Sequence, residues 1–204
     1  MNGRQYHAVR DRLQLHKALP VTPDWSAAPD FLQRIIDHCL ECRPSLTLEC
    51  SSGLTTLALA RCCQLNNHGH VYSLENGAQF AAATVAVLEE FELAHYATIV
   101  HAPLQDVTLH EVVYSWYSTH QLPAGHFDLL VVDGPPGFLQ RHSRYPALPL
   151  LHNRLAAGCS VFLDDAARQD EQESVAMWLD EFPAFSHEYI ELERGCSLLR
   201  RTRR

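Results

Sequence analysis

From about residue 29 onward, two kinds of hydrophobic pattern take turns along the chain. Short apolar runs rich in β-branched residues alternate with longer stretches whose apolar positions recur at helical spacing. The runs at 46–49, 70–74, 98–101, 127–133 and 160–164 predict strands. The intervening stretches 30–40, 54–64, 78–91, 109–117, 145–155 and 169–182 predict helices, the first of them capped by Asp30. Phe127-Asp-Leu-Leu-Val-Val-Asp133 is the strongest strand, and its nearly unbroken apolar character predicts burial on both faces, as in the middle of a parallel sheet. The ending differs: 186–192 and 196–200 read as two strands joined through Arg194-Gly195, a hairpin. Five strand–helix units and a terminal hairpin predict an α/β fold, with a seven-stranded mostly parallel sheet and helices on both faces. Residues 1–28 carry Pro20, Pro23 and Trp25 with weak periodicity, and predict an N-terminal extension of one helix and a loop lying over the site. Residues 29–204 then form the main domain.

Composition narrows the classes. A chain of 204 residues with 47% hydrophobic and 20% charged residues suits a single globular domain. Its formal net charge of -8 lacks the basic footprint of a general nucleic-acid binder. The one basic cluster, Arg200-Arg-Thr-Arg-Arg204, reads as a solvated tail. No signal peptide or bilayer-length apolar run is predicted, so no membrane role is expected. The seven cysteines show no secretory framework; Cys39 and Cys42 have CxxC spacing, but no second pair stands at zinc-ribbon distance. Free thiols in a reducing compartment, the cytoplasm, are expected.

In open parallel sheets, ligands bind beyond the carboxyl ends of the strands. The predicted ends carry Glu49, Glu75, Gln105-Asp106, Asp133 and Asp164-Asp165. The first is followed by a loop of small residues, Ser51-Ser52-Gly53, that opens a helix, and the next strand ends in Glu75. This arrangement builds a pocket for an adenosine-containing cofactor, because a carboxylate at the second tip accepts hydrogen bonds from both ribose hydroxyls. The loop has a single glycine where a pyrophosphate needs several close backbone approaches, which disfavours NAD and FAD; GxxxxGK[ST] is absent. Glu49 would repel a phosphate and suits a cationic or zwitterionic ligand. S-adenosylmethionine carries a sulfonium, an ammonium and no phosphate, so the residues point to a methyl donor.

The segments 23–32, Leu48-Glu-Cys-Ser-Ser-Gly-Leu-Thr-Thr-Leu57, Val71-Tyr-Ser-Leu-Glu75, His101-Ala-Pro-Leu104, Asp128-Leu-Leu-Val-Val-Asp-Gly-Pro-Pro-Gly137, Arg144-Tyr-Pro-Ala-Leu-Pro-Leu150 and Phe162-Leu-Asp-Asp-Ala-Ala-Arg168 resemble the class I S-adenosylmethionine-dependent methyltransferases, in particular a bacterial group of small methyltransferase-domain proteins. The resemblance covers most of residues 23–200 and implies the Rossmann-like methyltransferase fold. It implies that Glu49, Ser51, Ser52 and Gly53 line the methionine end of the cofactor, that Glu75 holds the ribose flanked by Asn76, and that the turn Ala102-Pro103-Leu104-Gln105 edges the adenine. Asp133 would stand beside the methyl group and the acceptor. Ser51 departs from the family, which usually has glycine there, and is tolerable if its backbone stays in an allowed region.

A second resemblance, to the catechol-type O-methyltransferases, implies Asp133, Asp164 and Asp165 as ligands of Mg2+. On the residues alone, Asp165 equally serves as a helix cap and Asp133 as a partner for backbone amides of the Gly-Pro-Pro loop. The catechol-type lysine base, three residues after the first ligand, is replaced by Pro136, and Lys17 is the sole lysine. Asp133, His142 and Tyr145 are the candidate bases for the displacement. Arg168 is expected in an ion pair with Asp164 or Glu171, and Trp25, Trp116 and Tyr117 are expected to pack on the sheet. The reading is methyl transfer to a small-molecule or glycan-type acceptor, on oxygen in one version, by a chain able to form a homodimer. A non-catalytic binding or scaffold protein of the same fold and a nicotinamide-dependent oxidoreductase are the alternatives.

Overall fold

A computed structural model describes residues 3–202. A helix, α1 (Gly3–Arg12), is followed by a loop, then by α2 (Pro29–Cys42), β1 (Leu46–Cys50), α3 (Leu54–Asn66), β2 (His70–Glu75), α4 (Ala78–Glu90) and β3 (Ala97–His101). A pair of strands, β4 (Leu104–Leu109) and β5 (Val112–Tyr117), leads to β6 (Phe127–Val132), α5 (Ala147–Leu151), β7 (Leu155–Asp164), α6 (Gln169–Glu181), β8 (Phe185–Ile190) and β9 (Cys196–Arg201). Seven strands make one sheet in the order β3-β2-β1-β6-β7-β9-β8. Only β9 runs against its neighbours, pairing antiparallel with both β7 and β8. Gly195 turns the terminal hairpin at φ 73°, and a Cβ there would come 2.5 Å from the Ala167 amide nitrogen.

Alternation along the central strands builds two separate cores. Leu129 and Val131 of β6, Phe162 of β7 and Leu198 of β9 pack on one face with α1, α2 and α3. Leu130, Val132, Val161, Leu163 and Leu199 pack on the other, with Tyr145, Leu148, Val175 and Trp178. The strand order reverses between β1 and β6, so the tips of β1, β2, β6 and β7 surround the crevice where such sheets hold ligands.

The helix expected at 109–117 is not formed. Residues 104–117 make an antiparallel hairpin, β4 against β5, turning through His110 and Glu111, both at positive φ. The segment holds Val107, Val112, Val113, Tyr114, Trp116 and Tyr117, β-branched and aromatic residues that suit a strand. Tyr114, Trp116 and Tyr117 of the hairpin cover the face that a crossover helix would cover. The helix expected at 145–155 shrinks to α5 and a 3-10 turn, because Leu155 already belongs to β7. Asp30 lies in the first turn of α2 rather than at its cap, and its Oδ2 accepts the Glu193 amide at 2.6 Å. Arg200 and Arg201 stand in β9, Arg200 paired with Glu188 at 3.0 Å, so they are not a solvated tail; Arg203 and Arg204 lie outside the described residues, as do Met1 and Asn2. Cys39 is buried, Cys42 exposed, and both are free. Among the described residues no helix is long and apolar enough to cross a membrane.

Candidate functional site at the strand tips

Glu49 is buried near the end of β1, with Ser73 of β2 beside it in register. Its Oε2 accepts the Thr56 hydroxyl at 2.6 Å, and Thr56 Oγ1 in turn accepts the Gly53 amide at 3.0 Å. Oε1 is buried without a hydrogen-bond partner among the described residues. Burial pushes the Glu49 carboxyl up to about 8, against the pull of the Thr56 and Ser73 hydroxyls. A buried acceptor left open in this way is suited to a cationic donor.

The loop after Glu49 is held by backbone bonds. Ser51 donates its amide to the Leu74 carbonyl at 2.9 Å, and its own carbonyl accepts the Ser73 hydroxyl. Ser51 sits at φ 103°, so the condition under which a serine is tolerable there is not met. Gly53 adopts φ 140° with open space where a Cβ would point, so it is the backbone angle that demands glycine. Across the crevice, a Cβ on Gly134 would come 2.4 Å from the Tyr117 hydroxyl oxygen and 3.0 Å from Ser51 Cβ.

Glu75 ends β2 and is buried. Its Oε2 accepts the Ser52 hydroxyl at 2.8 Å and its Oε1 the Gly77 amide at 2.9 Å. Thr84 of α4 lies 3.0 Å from the same Ser52 hydroxyl. Asn76 is half-buried just beyond, and the Ala102 amide donates to the Glu75 carbonyl at 2.7 Å. This bond sets the Ala102-Pro103 turn beside the Glu75 tip, whereas the Gln105 side chain is exposed on β4. Glu49, Ser51, Ser52, Gly53, Glu75, Asn76, Ala102 and Pro103 therefore converge. Thr56, which bonds Glu49, and Ser73 and Thr84, which hold Ser51 and Ser52, carry no signal in the sequence, where they look like ordinary helix and strand residues.

The tips of β6 and β7 depart most from expectation. Carboxylate oxygens of Asp133, Asp164 and Asp165 lie within 4.8 Å of one another, the spacing of a cation site. A guanidinium already stands among them. Arg144, 4% exposed, donates from Nη2 to Asp165 Oδ2 at 2.9 Å and approaches Asp133 Oδ1 at 3.5 Å. A divalent ion placed there would face a fixed positive charge that cannot leave without unburying its side chain, so these residues do not fit Mg2+. Burial and the neighbouring Asp164 push Asp133 well above the usual carboxylate range, although Arg144 opposes the shift. Asp164 rises to about 6 for the same reasons of burial and a like-charged neighbour, Asp165. The surrounding carboxylates outweigh burial at Arg144 and keep it charged.

Asp165 does not cap α6: its side chain holds Arg144 and, at 2.9 Å, Arg168. Arg168 thus pairs with Asp165 rather than Asp164, with Glu171 3.9 Å away. Asp133 meets Arg144 instead of loop amides. Of the other candidate bases, His142 places Nε2 2.5 Å from Glu173, which also binds Arg141 at 2.7 Å. Tyr145 is buried and donates its hydroxyl to Glu181 at the far end of α6. Neither is brought to Asp133. Trp116 and Tyr117 do pack on the sheet, but Trp25 is 65% exposed and meets Phe138 edge-on at 6.4 Å. The role of Arg144 does not show in the sequence by spacing; its signal is a set of strand-tip carboxylates with no lysine nearby to balance them.

Comparison with known proteins bears on this geometry. The methyltransferase-domain family matches residues 48–166, from β1 through the Asp164-Asp165 tip, and the chain belongs to that family. A solved structure of the SAH-bound methyltransferase PaMTH1 of Podospora anserina superposes with a TM-score of 0.70 at 16% identity, over 98% of this chain and 86% of that one. The O-methyltransferase TomG of Streptomyces achromogenes, involved in tomaymycin synthesis and solved with SAM, gives 0.66 at 13%, over 98% and 89%. An O-methyltransferase of Bacillus cereus in complex with SAH gives 0.67 at 12%, over 99% and 92%. These likenesses establish the class I methyltransferase fold. No protein of curated function matches the sequence.

Proposed function

We propose that the chain transfers a methyl group from S-adenosylmethionine to a small-molecule or glycan-type acceptor, with oxygen as the receiving atom. The observation that carries the reading is the pair of buried carboxylates on adjacent strand tips, Glu75 with both oxygens held by Ser52 and Gly77, and Glu49 with one oxygen open. Glu75 with Asn76 takes the ribose hydroxyls; Glu49 and the Ser51-Ser52-Gly53 backbone take the ammonium and carboxylate of the methionine end; the Ala102–Gln105 turn edges the adenine. The names of the structural relatives, O-methyltransferases among them, support oxygen as the acceptor atom.

In this reading Asp133 stands where the acceptor hydroxyl meets the methyl group, and the step is an in-line displacement in which the acceptor oxygen forms a bond to the methyl carbon as its bond to sulfur breaks. Orientation of two bound reactants supplies much of the acceleration. Asp133, whose hold on a proton burial raises well above that of an ordinary carboxylate, is able in its ionised form to take the hydroxyl proton. The loop between α1 and α2 reaches this end through Trp25, whose ring meets Phe138 of the loop after Asp133. The strained Ser51 favours the second reading, a binding protein of the same fold without turnover.

Titration calorimetry separates the readings. Micromolar affinity for S-adenosylmethionine and none for NAD supports methyl transfer; binding of neither supports the scaffold. Glu75→Ala removes the acceptor of two charge-assisted hydrogen bonds, each worth roughly 1.5–3 kcal/mol, so cofactor affinity should fall by about 100-fold or more. Unchanged affinity would sink the ribose assignment.

A further inference from the structure

The guanidinium of Arg144 does two jobs at once. Nη1 donates to the Asp164 carbonyl at 2.9 Å and Nη2 to the Asp133 carbonyl at 3.0 Å. Those carbonyls cap the neighbouring parallel strands β6 and β7, which stay in register up to Val132 and Leu163. One side chain therefore ties two strand tips together. The same group neutralises carboxylates: Asp165 at 2.9 Å, Asp133 at 3.5 Å, and Glu171 3.7 Å from Nε. Bridging two tips and balancing their charge is what a divalent ion does when carboxylates from adjacent strands share it. We infer that Arg144 is a built-in cation that takes the place of a divalent metal at the acceptor end, bracing the Asp133 and Asp164-Asp165 tips and leaving the site metal-independent.

The donor geometry carries a consequence for specificity. A metal offers open coordination positions that an acceptor with two adjacent hydroxyls can fill. The Arg144 donors point inward: Nη1 and Nη2 serve the two carbonyls and Asp165, and Nε is buried with Glu171 as its nearest carboxylate. With no chelation available, the acceptor is recognised through a single hydroxyl, and a vicinal diol gains nothing over a lone one. This part rests on the methyl-transfer reading; the charge replacement itself does not, and the test reads metal binding rather than turnover.

The protein is stripped with chelator and titrated with Mn2+, following free ion by electron paramagnetic resonance, with S-adenosylhomocysteine affinity measured in parallel. The wild-type chain should take up no Mn2+ up to about 1 mM, the weak end of carboxylate sites. S-adenosylhomocysteine affinity, if present, should be the same with and without chelator. Arg144→Met leaves the carboxylates unbalanced: its melting temperature should fall by on the order of 10 °C. It should now bind close to one Mn2+ per chain and regain part of the loss on doing so. Adding Asp165→Asn to that variant should remove the ion again. Stoichiometric Mn2+ binding by the wild type, abolished by Asp165→Asn alone, overturns the inference, and this arm needs no Arg144 variant to fold. A folded Arg144→Met that gains no Mn2+ affinity overturns it equally. Failure to bind S-adenosylhomocysteine with metal behaviour as expected would instead strike the proposed function.

Discussion

Ser51 holds a conformation that its side chain resists, at φ 103°, between the Leu74 and Ser73 bonds that fix its amide and carbonyl. Glycine relieves that strain at the cost of a more flexible unfolded chain, so Ser51→Gly should stabilise by about 1 kcal/mol, raising the melting temperature by roughly 2–4 °C. Glu49 predicts a pH dependence. Its carboxyl moves from an ordinary 4.5 to about 8 on folding, so the folded chain keeps a proton that the unfolded chain releases. The stability this gives is complete below the lower value and is lost as pH rises towards the upper one. Against Glu49→Gln, which cannot titrate, the wild type should lose melting temperature steadily from about pH 4.5 to about pH 8; parallel curves would refute the assignment. A cationic cofactor favours the ionised form, so binding near neutrality should release a proton, visible as a calorimetric enthalpy that varies with the buffer. These carboxylates were legible in sequence because each ends an apolar strand. The Glu49–Thr56–Gly53 bonds were not, since they depend on a helix turn folding back on the tip it follows.

Among the elements, the β4–β5 hairpin decides how the second face closes. Trp116 is fully buried there and touches Tyr117 edge-on at 5.2 Å. Trp116→Ala should cost about 3–5 kcal/mol, read by denaturant titration, and should loosen the crevice by freeing the Tyr117 hydroxyl that stands against Gly134. The parallel strands and their helices could be read from periodicity, as could the terminal hairpin from Gly195 and its flanking strands. The β4–β5 hairpin could not. Its turn is His110-Glu111, without the glycine or asparagine that marks such turns, and a crossover between parallel strands argues for a helix. The aromatic and β-branched content of 112–117 held the contrary signal.

At the scale of the whole molecule, the two cores divide the labour. One face carries α1, α2 and α3, with Tyr6, Val9 and Leu13 of α1 buried in it. That burial makes α1 part of the main hydrophobic core. The other face carries the hairpin, α5 and α6, and supplies Arg144 and Glu171 to the tips of β6 and β7. The mostly parallel sheet, its reversed strand and the placing of a crevice at the strand tips followed from strand–helix alternation; the strand order comes from the structure. The charge balance at the β6 and β7 tips did not follow, because a guanidinium that enters from a loop and reaches back 11 residues to Asp133 and forward 20 to Asp164 leaves no periodic trace.

Arg144 also ties the readiness of the site to the chain's own synthesis. A cation delivered as a side chain arrives in fixed proportion, one per polypeptide, whatever ions surround the folding protein. The two tips are then balanced as soon as the chain has folded, the terminal hairpin against the Asp164 tip included, with no later loading step to wait for or to lose.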